Sequence, residues 1–293
     1  MNISTSIALL ISILAMTAGS HAGDEMPVLE GPYLGQTPPG LTPEVFAPGV
    51  VSKEYRDLSG FFSKDMNEFY FTRRDPESGK WTLIGFKSEN NRWRLVSEVP
   101  RVGRPIFSPD GKIMHLGKRY KERTESGWSE VKSLGAAYED IRIMRLSSSL
   151  DGMYVLDEAT RDGKGAIRYS QLMDGKRTEP TPFGKEINTG TWNAHPFIAP
   201  DESYIIWDGE RETGYGGSDV FISFREQDGS WGAALNLGDK INTEAEELGA
   251  AVTPDGKYLF FNRVVKPEET NSPMNIDIFW VNAQIIEALR PKL

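Results

Sequence analysis

Short runs of aromatic and β-branched residues recur along this chain, and each follows a turn built around an Asp. In the clearest case, Val252-Thr253-Pro254-Asp255-Gly256 precedes Tyr258-Leu259-Phe260-Phe261. Pro presets φ at a turn position, Asp bonds the following backbone, and Gly tolerates positive φ. Aromatic residues then favour a new strand. The unit strand–turn–strand is predicted five times, with its anchoring Asp at the following positions: Asp65, Asp110, Asp151, Asp201 and Asp255.

The spacing of the anchoring Asp residues indicates the fold class. Successive intervals are 45, 41, 50 and 54 residues, as expected for a four-stranded blade with variable loops. A second landmark keeps the same register, because Asn188 and Asn242 each lie 13 residues before an anchoring Asp. The pattern predicts an all-β chain that forms a single β-propeller of five four-stranded blades. Six blades are the alternative, if residues 30–57 hide a degenerate unit.

The last repeat lacks a fourth strand. After Asp277-Ile278-Phe279-Trp280-Val281 the chain enters Ile285-Ile286-Glu287-Ala288-Leu289, which predicts a short helix. We expect Glu44-Val45-Phe46-Ala47 to supply the missing strand. Closure by this N-terminal strand would join the first and last blades and protect an exposed sheet edge.

The repeat resembles the TolB-like propeller family, a relative of the WD-type repeats. The resemblance is clearest in Phe107-Ser108-Pro109-Asp110-Gly111-Lys112 and in residues 252–261, and it covers about residues 44–281. Repeats one and three depart from it, since Lys64 and Leu150 replace the Pro. The family includes periplasmic scaffolding proteins, propellers attached to peptidases and exported proteins without assigned activity, so the resemblance implies a fold more than a function.

The N-terminus predicts export to the periplasm or the outside of the cell. Ile7 to Met16 is an apolar run too short to span a bilayer comfortably, and Ser20 and Ala22 are small residues suited to signal peptidase. We expect a signal peptide over 1–22, an N-terminal extension over 23–43, the propeller over 44–281 and a helix and tail over 282–293. An uncleaved N-terminal anchor is the alternative. No later stretch is apolar enough to span a membrane.

Composition excludes several function classes. The chain has no Cys, so disulfides, thiolate catalysis and Cys-ligated zinc are excluded. Of its three His residues, His21 leaves with the signal peptide, which rules out a three-His metal site. We expect no metal and no cofactor. The net charge of −9 argues against nucleic acid as a partner.

Candidate binding residues come from the strand before each anchoring turn, which should be the innermost strand and face the central channel. Positions six and eight residues before the Asp share one face of that strand. Position six holds Ser59, Arg104, Arg145, His195 and Gly249, and position eight holds Asp57, Val102, Ile143, Asn193 and Glu247. We predict a ligand site at the channel mouth formed by the following residues: Arg104, Arg145, Trp192, Asn193, His195, Asp208, Arg211 and Glu247. The alternative is that these groups pair with one another.

No complete catalytic set is visible, so the catalytic residues stay unknown. Asp208 with Glu210, and Asp157 with Glu158, are carboxylate pairs of the kind that glycosidases use. The Gly-rich stretch 214–217 lacks a phosphate-loop Lys. The preferred prediction is therefore a non-catalytic scaffold that binds a protein or a carbohydrate partner. The alternative is a carbohydrate-active hydrolase or lyase with its site at the central channel.

Overall fold

Strands make up nearly all the regular structure of the computed structural model, which describes residues 29–53, 55–265 and 275–291. The predicted signal peptide lies outside these described residues. The other elements are two 3₁₀ turns, Tyr33–Gly35 and Ala136–Tyr138, and helix α1 (Gln284–Leu289). Within the described ranges, no helix is long and apolar enough to cross a membrane.

The first repeat forms an antiparallel meander preceded by two short strands. The N-terminal strands are β1 (Leu29–Glu30) and β2 (Glu44–Val45). The meander consists of β3 (Arg56–Phe62), β4 (Glu68–Arg74), β5 (Trp81–Glu89) and β6 (Arg92–Pro100). Strand β1 pairs with the outer strand β6.

The second and third repeats form separate sheets. The second contains β7 (Ile106–Phe107), β8 (Ile113–His115), β9 (Arg119–Thr124), β10 (Gly127–Trp128) and β11 (Lys132–Ser133). The third contains β12 (Leu146–Ser148), β13 (Tyr154–Asp157), β14 (Ile167–Ser170), β15 (Leu172–Met173), β16 (Lys176–Arg177) and β17 (Thr181–Pro182). Strands β15 and β16 form a small hairpin beside the main sheet, whose order is β12-β13-β14-β17.

The fourth and fifth repeats complete the series. The fourth contains β18 (Thr191–Ile198), β19 (Tyr204–Glu210), β20 (Asp219–Phe224) and β21 (Leu235–Asn236). The fifth contains β22 (Glu247–Val252), β23 (Tyr258–Val265) and β24 (Asn275–Asn282). Strand β2 pairs antiparallel with β24, with Glu44 opposite Trp280. Strand β24 also pairs in parallel with β3, with Ile276 opposite Arg56, so the first and last repeats share one sheet. The succession of sheets gives the chain the architecture of a β-propeller.

An aromatic cluster packs the first repeat against the last. Phe46 is fully buried, and its ring centroid lies 5.0 Å from that of Phe69, 4.8 Å from Phe260 and 5.1 Å from Trp280. Phe46 therefore joins residues that are about two hundred positions apart in the sequence. Burial of such rings is among the largest apolar contributions available to a sheet protein.

A recurrent bulge fixes the innermost strands to the preceding repeat. Ser59, His195 and Gly249 have φ of 59°, 48° and 63°, and each lies where the register of its strand shifts. Each donates its backbone N–H to a side-chain oxygen of the previous repeat's second strand. The three pairs are Ser59 with Asn262 (3.0 Å), His195 with Asp157 (2.8 Å) and Gly249 with Asp208 (2.7 Å).

Candidate functional site

The structure brings four of the predicted channel residues into direct contact, namely Arg104, Arg145, His195 and Asp208. The Arg104 guanidinium bonds the Nε2 atom of His195, although the two residues belong to the second and fourth repeats. Arg145, from the third repeat, donates from Nη1 to the backbone oxygen of His195 at 3.2 Å. The bulge at His195 makes these contacts possible, because positive φ turns its side chain inward from the strand.

The partners of His195 determine its protonation. Its Nδ1 lies 2.9 and 3.0 Å from the two carboxylate oxygens of Asp208. A carboxylate only accepts and a guanidinium only donates. Nδ1 therefore carries the proton, and Nε2 accepts from Arg104. Burial and the Arg104 charge lower the pKa of His195, so that the imidazole is neutral.

Two carboxylates hold this arrangement from the second strands of their repeats. Asp208 accepts from His195 and from the N–H of Gly249. Asp157 accepts three backbone N–H groups, from Met144 at 2.7 Å, Arg145 at 3.2 Å and His195 at 2.8 Å. Both side chains are buried. The acids therefore position the imidazole and have little freedom to exchange protons with a ligand.

Arg145 connects several repeats beside His195. Its guanidinium is fully buried and donates to the backbone oxygens of His195, Gly249 (2.9 Å) and Ala250 (3.0 Å). It also lies over the Phe61 ring, 5.2 Å from the centroid. Burial and the neighbouring Arg104 lower its pKa to about 10. One side chain thus connects the third, fourth, fifth and first repeats.

The charge balance of the cluster favours an anionic ligand. Arg101 lies near Arg104, and burial together with that like charge lowers the Arg101 pKa to about 10. Arg104 and Arg145 lie near the carboxylates of Asp157 and Asp208, and Arg101 adds a third positive charge beside Arg104. Arg101 and Arg104 are both partly exposed, whereas Arg145 is fully buried. A site with uncompensated positive charge attracts carboxylates and similar anions.

Four predicted residues lie outside this contact network. Glu247 accepts from Arg263 Nε at 2.8 Å and from the Thr243 hydroxyl at 2.6 Å. Asn193 accepts from Trp207 Nε1 at 3.2 Å. The Trp192 ring lies over Gly163, and the Arg211 guanidinium lies 3.8 Å from the Phe221 centroid. These residues border the fourth and fifth repeats but do not contact the His195 ring.

Two members of the cluster, Asp157 and Arg101, were absent from the predicted site. Asp157 stands in the second strand of its repeat, six residues after the anchoring Asp, whereas the predicted Asp208 stands seven residues after its own. This difference of one residue hides the equivalence of the two positions. Arg101 follows β6 in a loop, and no periodic signal pointed to it.

No protein-family model matches the sequence, and no curated protein matches it significantly. Solved structures that resemble the fold include TolB from Acinetobacter baumannii, with 14% identity, a TM-score of 0.45, and coverage of 78% of this chain and 57% of that one. A gluconolactonase from Xanthomonas campestris has 9% identity, a TM-score of 0.47, and coverage of 86% and 96%. The GH62 α-L-arabinofuranosidase catalytic domain from Coprinopsis cinerea has 10% identity, a TM-score of 0.45, and coverage of 84% and 98%.

The prediction of a non-catalytic scaffold is corrected. Structures that resemble this fold are mostly enzymes, among them glycoside hydrolases and gluconolactonases. In the structure, the buried His195 imidazole contacts both Asp208 and Arg104.

Proposed function

We propose that this protein is a carbohydrate-active enzyme whose active site lies at the central channel, with His195 as general base. The observation that supports it is the series Asp208–His195–Arg104, in which a neutral imidazole receives support at Nδ1 and presents Nε2 toward a half-buried guanidinium. Among carbohydrate reactions, this arrangement fits elimination on a uronic acid better than hydrolysis.

The substrate carboxylate would bind Arg104, because a guanidinium pairs with a carboxylate more strongly than with a neutral imidazole. Arg104 would then leave the His195 Nε2 lone pair free. Neutralising the carboxylate also acidifies the proton on the adjacent ring carbon, and Nε2 takes that proton. The bond from the next carbon to the glycosidic oxygen breaks as the ring double bond forms. The departing oxygen receives a proton from water at the mouth.

Asp208 stabilises the imidazolium that forms in this step. Its carboxylate contacts Nδ1 through both oxygens, and the Gly249 N–H fixes its position. Once the product leaves, Nε2 returns its proton to water and Arg104 again donates to it. In many enzymes in which an imidazole acts as base, an Asp orients the ring and stabilises the imidazolium in the same way.

Hydrolysis is the less suitable reaction for this geometry. A glycosidase needs one carboxylic acid to protonate the leaving oxygen and a second carboxylate as base or nucleophile. The buried acids of the cluster already accept two and three hydrogen bonds from protein groups, so their oxygens are engaged in positioning the imidazole.

The test is a substrate screen of the mature protein on uronate polysaccharides and on neutral xylan and glucan. We expect cleavage of a uronate polymer, with ultraviolet absorbance from an unsaturated uronate. His195→Gln and Asp208→Asn should each reduce kcat by about 10²–10⁴-fold. His115→Gln is the matched control, because His115 is a second buried histidine that does not contact the cluster. Reducing ends without ultraviolet absorbance would indicate hydrolysis, and no cleavage of any polymer would reject the proposal.

We also propose that the propeller has five blades and that β2 completes the last one. The antiparallel pairing of β2 with β24 and the packing of Phe46 support this closure. A crystal structure of the mature chain would count the blades directly, and a sixth unit before Arg56 would contradict the proposal.

We propose that the protein acts in the periplasm or outside the cell, after cleavage following Ala22. The domain boundaries predicted from the sequence are retained with this proposal. Mass spectrometry of the protein recovered from an exporting host tests the cleavage, and an intact N-terminus in the exported fraction would contradict it.

A further inference from the structure

A cavity of about 390 Å³, within the range of ligand sites, is lined by turns from all five repeats. Its wall includes side chains four residues before the anchoring Asp, among them Phe61, Ile106, Phe197 and Ala251. The fully buried Arg145 contacts this wall, since its guanidinium lies over the Phe61 ring.

The wall of this cavity is apolar and contains no acid among its described lining residues, although the protein as a whole is acidic. The anchoring carboxylates nearby are occupied within their own turns. Asp65, Asp110 and Asp255 each accept from the Ser or Thr hydroxyl two residues earlier, at 2.6 Å. The cavity is therefore a hydrophobic site without internal negative charge.

The rim of the cavity is a ring formed by the residue before each anchoring Asp. Three positions are Pro109, Pro200 and Pro254, and the two departures from the repeat motif occupy the others. Leu150 is 62% exposed at the rim, and Lys64 is exposed there within electrostatic range of Asp110. The departures thus add one exposed apolar side chain and one exposed cation to an otherwise uniform ring.

We propose that this cavity binds an amphiphile that has an apolar chain and one carboxylate. The chain would occupy the aromatic interior and contact Leu150, and the carboxylate would remain at the surface beside Lys64. The site is distinct from the proposed active site, because Arg104, His195 and Asp208 are not among the residues that line the cavity.

Isothermal titration of the mature protein with decanoate, octanoate and decan-1-ol tests the proposal. We expect 1:1 binding of decanoate, and about fifteenfold weaker binding of octanoate because it lacks two methylenes. Lys64→Met should weaken decanoate binding about threefold and leave decan-1-ol binding unchanged, since an exposed ion pair contributes little. Lys112→Met, which removes an exposed lysine outside the cavity, is the matched control and should bind decanoate like the wild type.

A third variant tests the location. Leu150→Asp places a carboxylate at the exposed rim and should weaken the binding of both decanoate and decan-1-ol at least tenfold. His195→Gln should leave the binding of both unchanged. Absence of saturable 1:1 binding would overturn the proposal. So would equal decanoate affinity in Lys64→Met and wild type, wild-type affinity in Leu150→Asp, or loss of binding in His195→Gln.

Discussion

Replacement of Asp157 by Asn should destabilise the protein far more than its conservative size suggests. The carboxylate accepts two N–H groups from its own repeat through Oδ1 and one from the next repeat through Oδ2. The amide keeps only one acceptor oxygen, so that at least one buried N–H loses its partner, at a cost of about 1–3 kcal/mol. Loss of the charge also removes a favourable neighbour of Arg104 and of the buried Arg145.

The expected total is about 2–4 kcal/mol of unfolding free energy, since loss of a charged partner adds to the cost of the orphaned donor. In a chain of this size, each kcal/mol shifts Tm by about 2–4 °C. Differential scanning calorimetry should therefore show a Tm of Asp157→Asn lowered by about 5–10 °C, with a larger loss for Asp157→Ala. Asp151→Asn, an exposed position in the same repeat, should remain within about 0.5 kcal/mol of the wild type. Equal Tm values for Asp157→Asn and Asp151→Asn would refute the reasoning.

Three further outcomes are expected. Because the pKa of His195 is lowered, the acid limb of the pH profile of kcat/KM on a cleaved polymer should lie below pH 6.5; a limb above that value would contradict a buried neutral base. Burial lowers the pKa of His115 to about 3, so its stabilising effect is complete above the unfolded value near 6.5 and is lost as the pH falls toward 3. Urea titrations should show that the stability gap between wild type and His115→Gln narrows by about 2 kcal/mol from pH 6.5 to pH 5, whereas a constant gap would exclude this titration. Phe46→Ala should cost about 3–5 kcal/mol in the same assay, and a loss below 1 kcal/mol would show that this ring does not join the first and last repeats.

The repeat can be predicted from the sequence because each turn and strand is specified by residues that are close together in the chain. Pro, Asp and Gly specify each turn within five residues, and the aromatic run that follows specifies the strand. The sequence also shows that the residues six before each anchoring Asp share one level of the channel, which placed Arg104, Arg145 and His195 together. Their mutual contacts depend on how far each long side chain reaches across the channel, and no periodicity encodes that distance.

Glu247 illustrates what a closer comparison of repeats adds to the sequence analysis. It pairs with Arg263, sixteen residues later, and Asp57 pairs with Arg73 at the same separation. The repetition of this spacing in the first and last repeats indicates an ion pair, and the ligand role of Glu247 stays a prediction. Asp157 was missed because its offset from the anchoring Asp differs by one from that of Asp208.

The pairing of β2 with β24 has a consequence for the order in which the protein acquires its structure. Glu44 and Trp280 are separated by most of the chain, so their contact forms only after the last repeat has been synthesised. Bringing such distant segments together is slow because the entropy of loop closure must be overcome first. In a nascent chain, β2 therefore stays without its partner strand until the C-terminal strands have been synthesised. If export proceeds through a channel that accepts only unfolded chains, this delay keeps the polypeptide competent for transport. The pairing of β2 with β24 then takes place on the far side of the membrane.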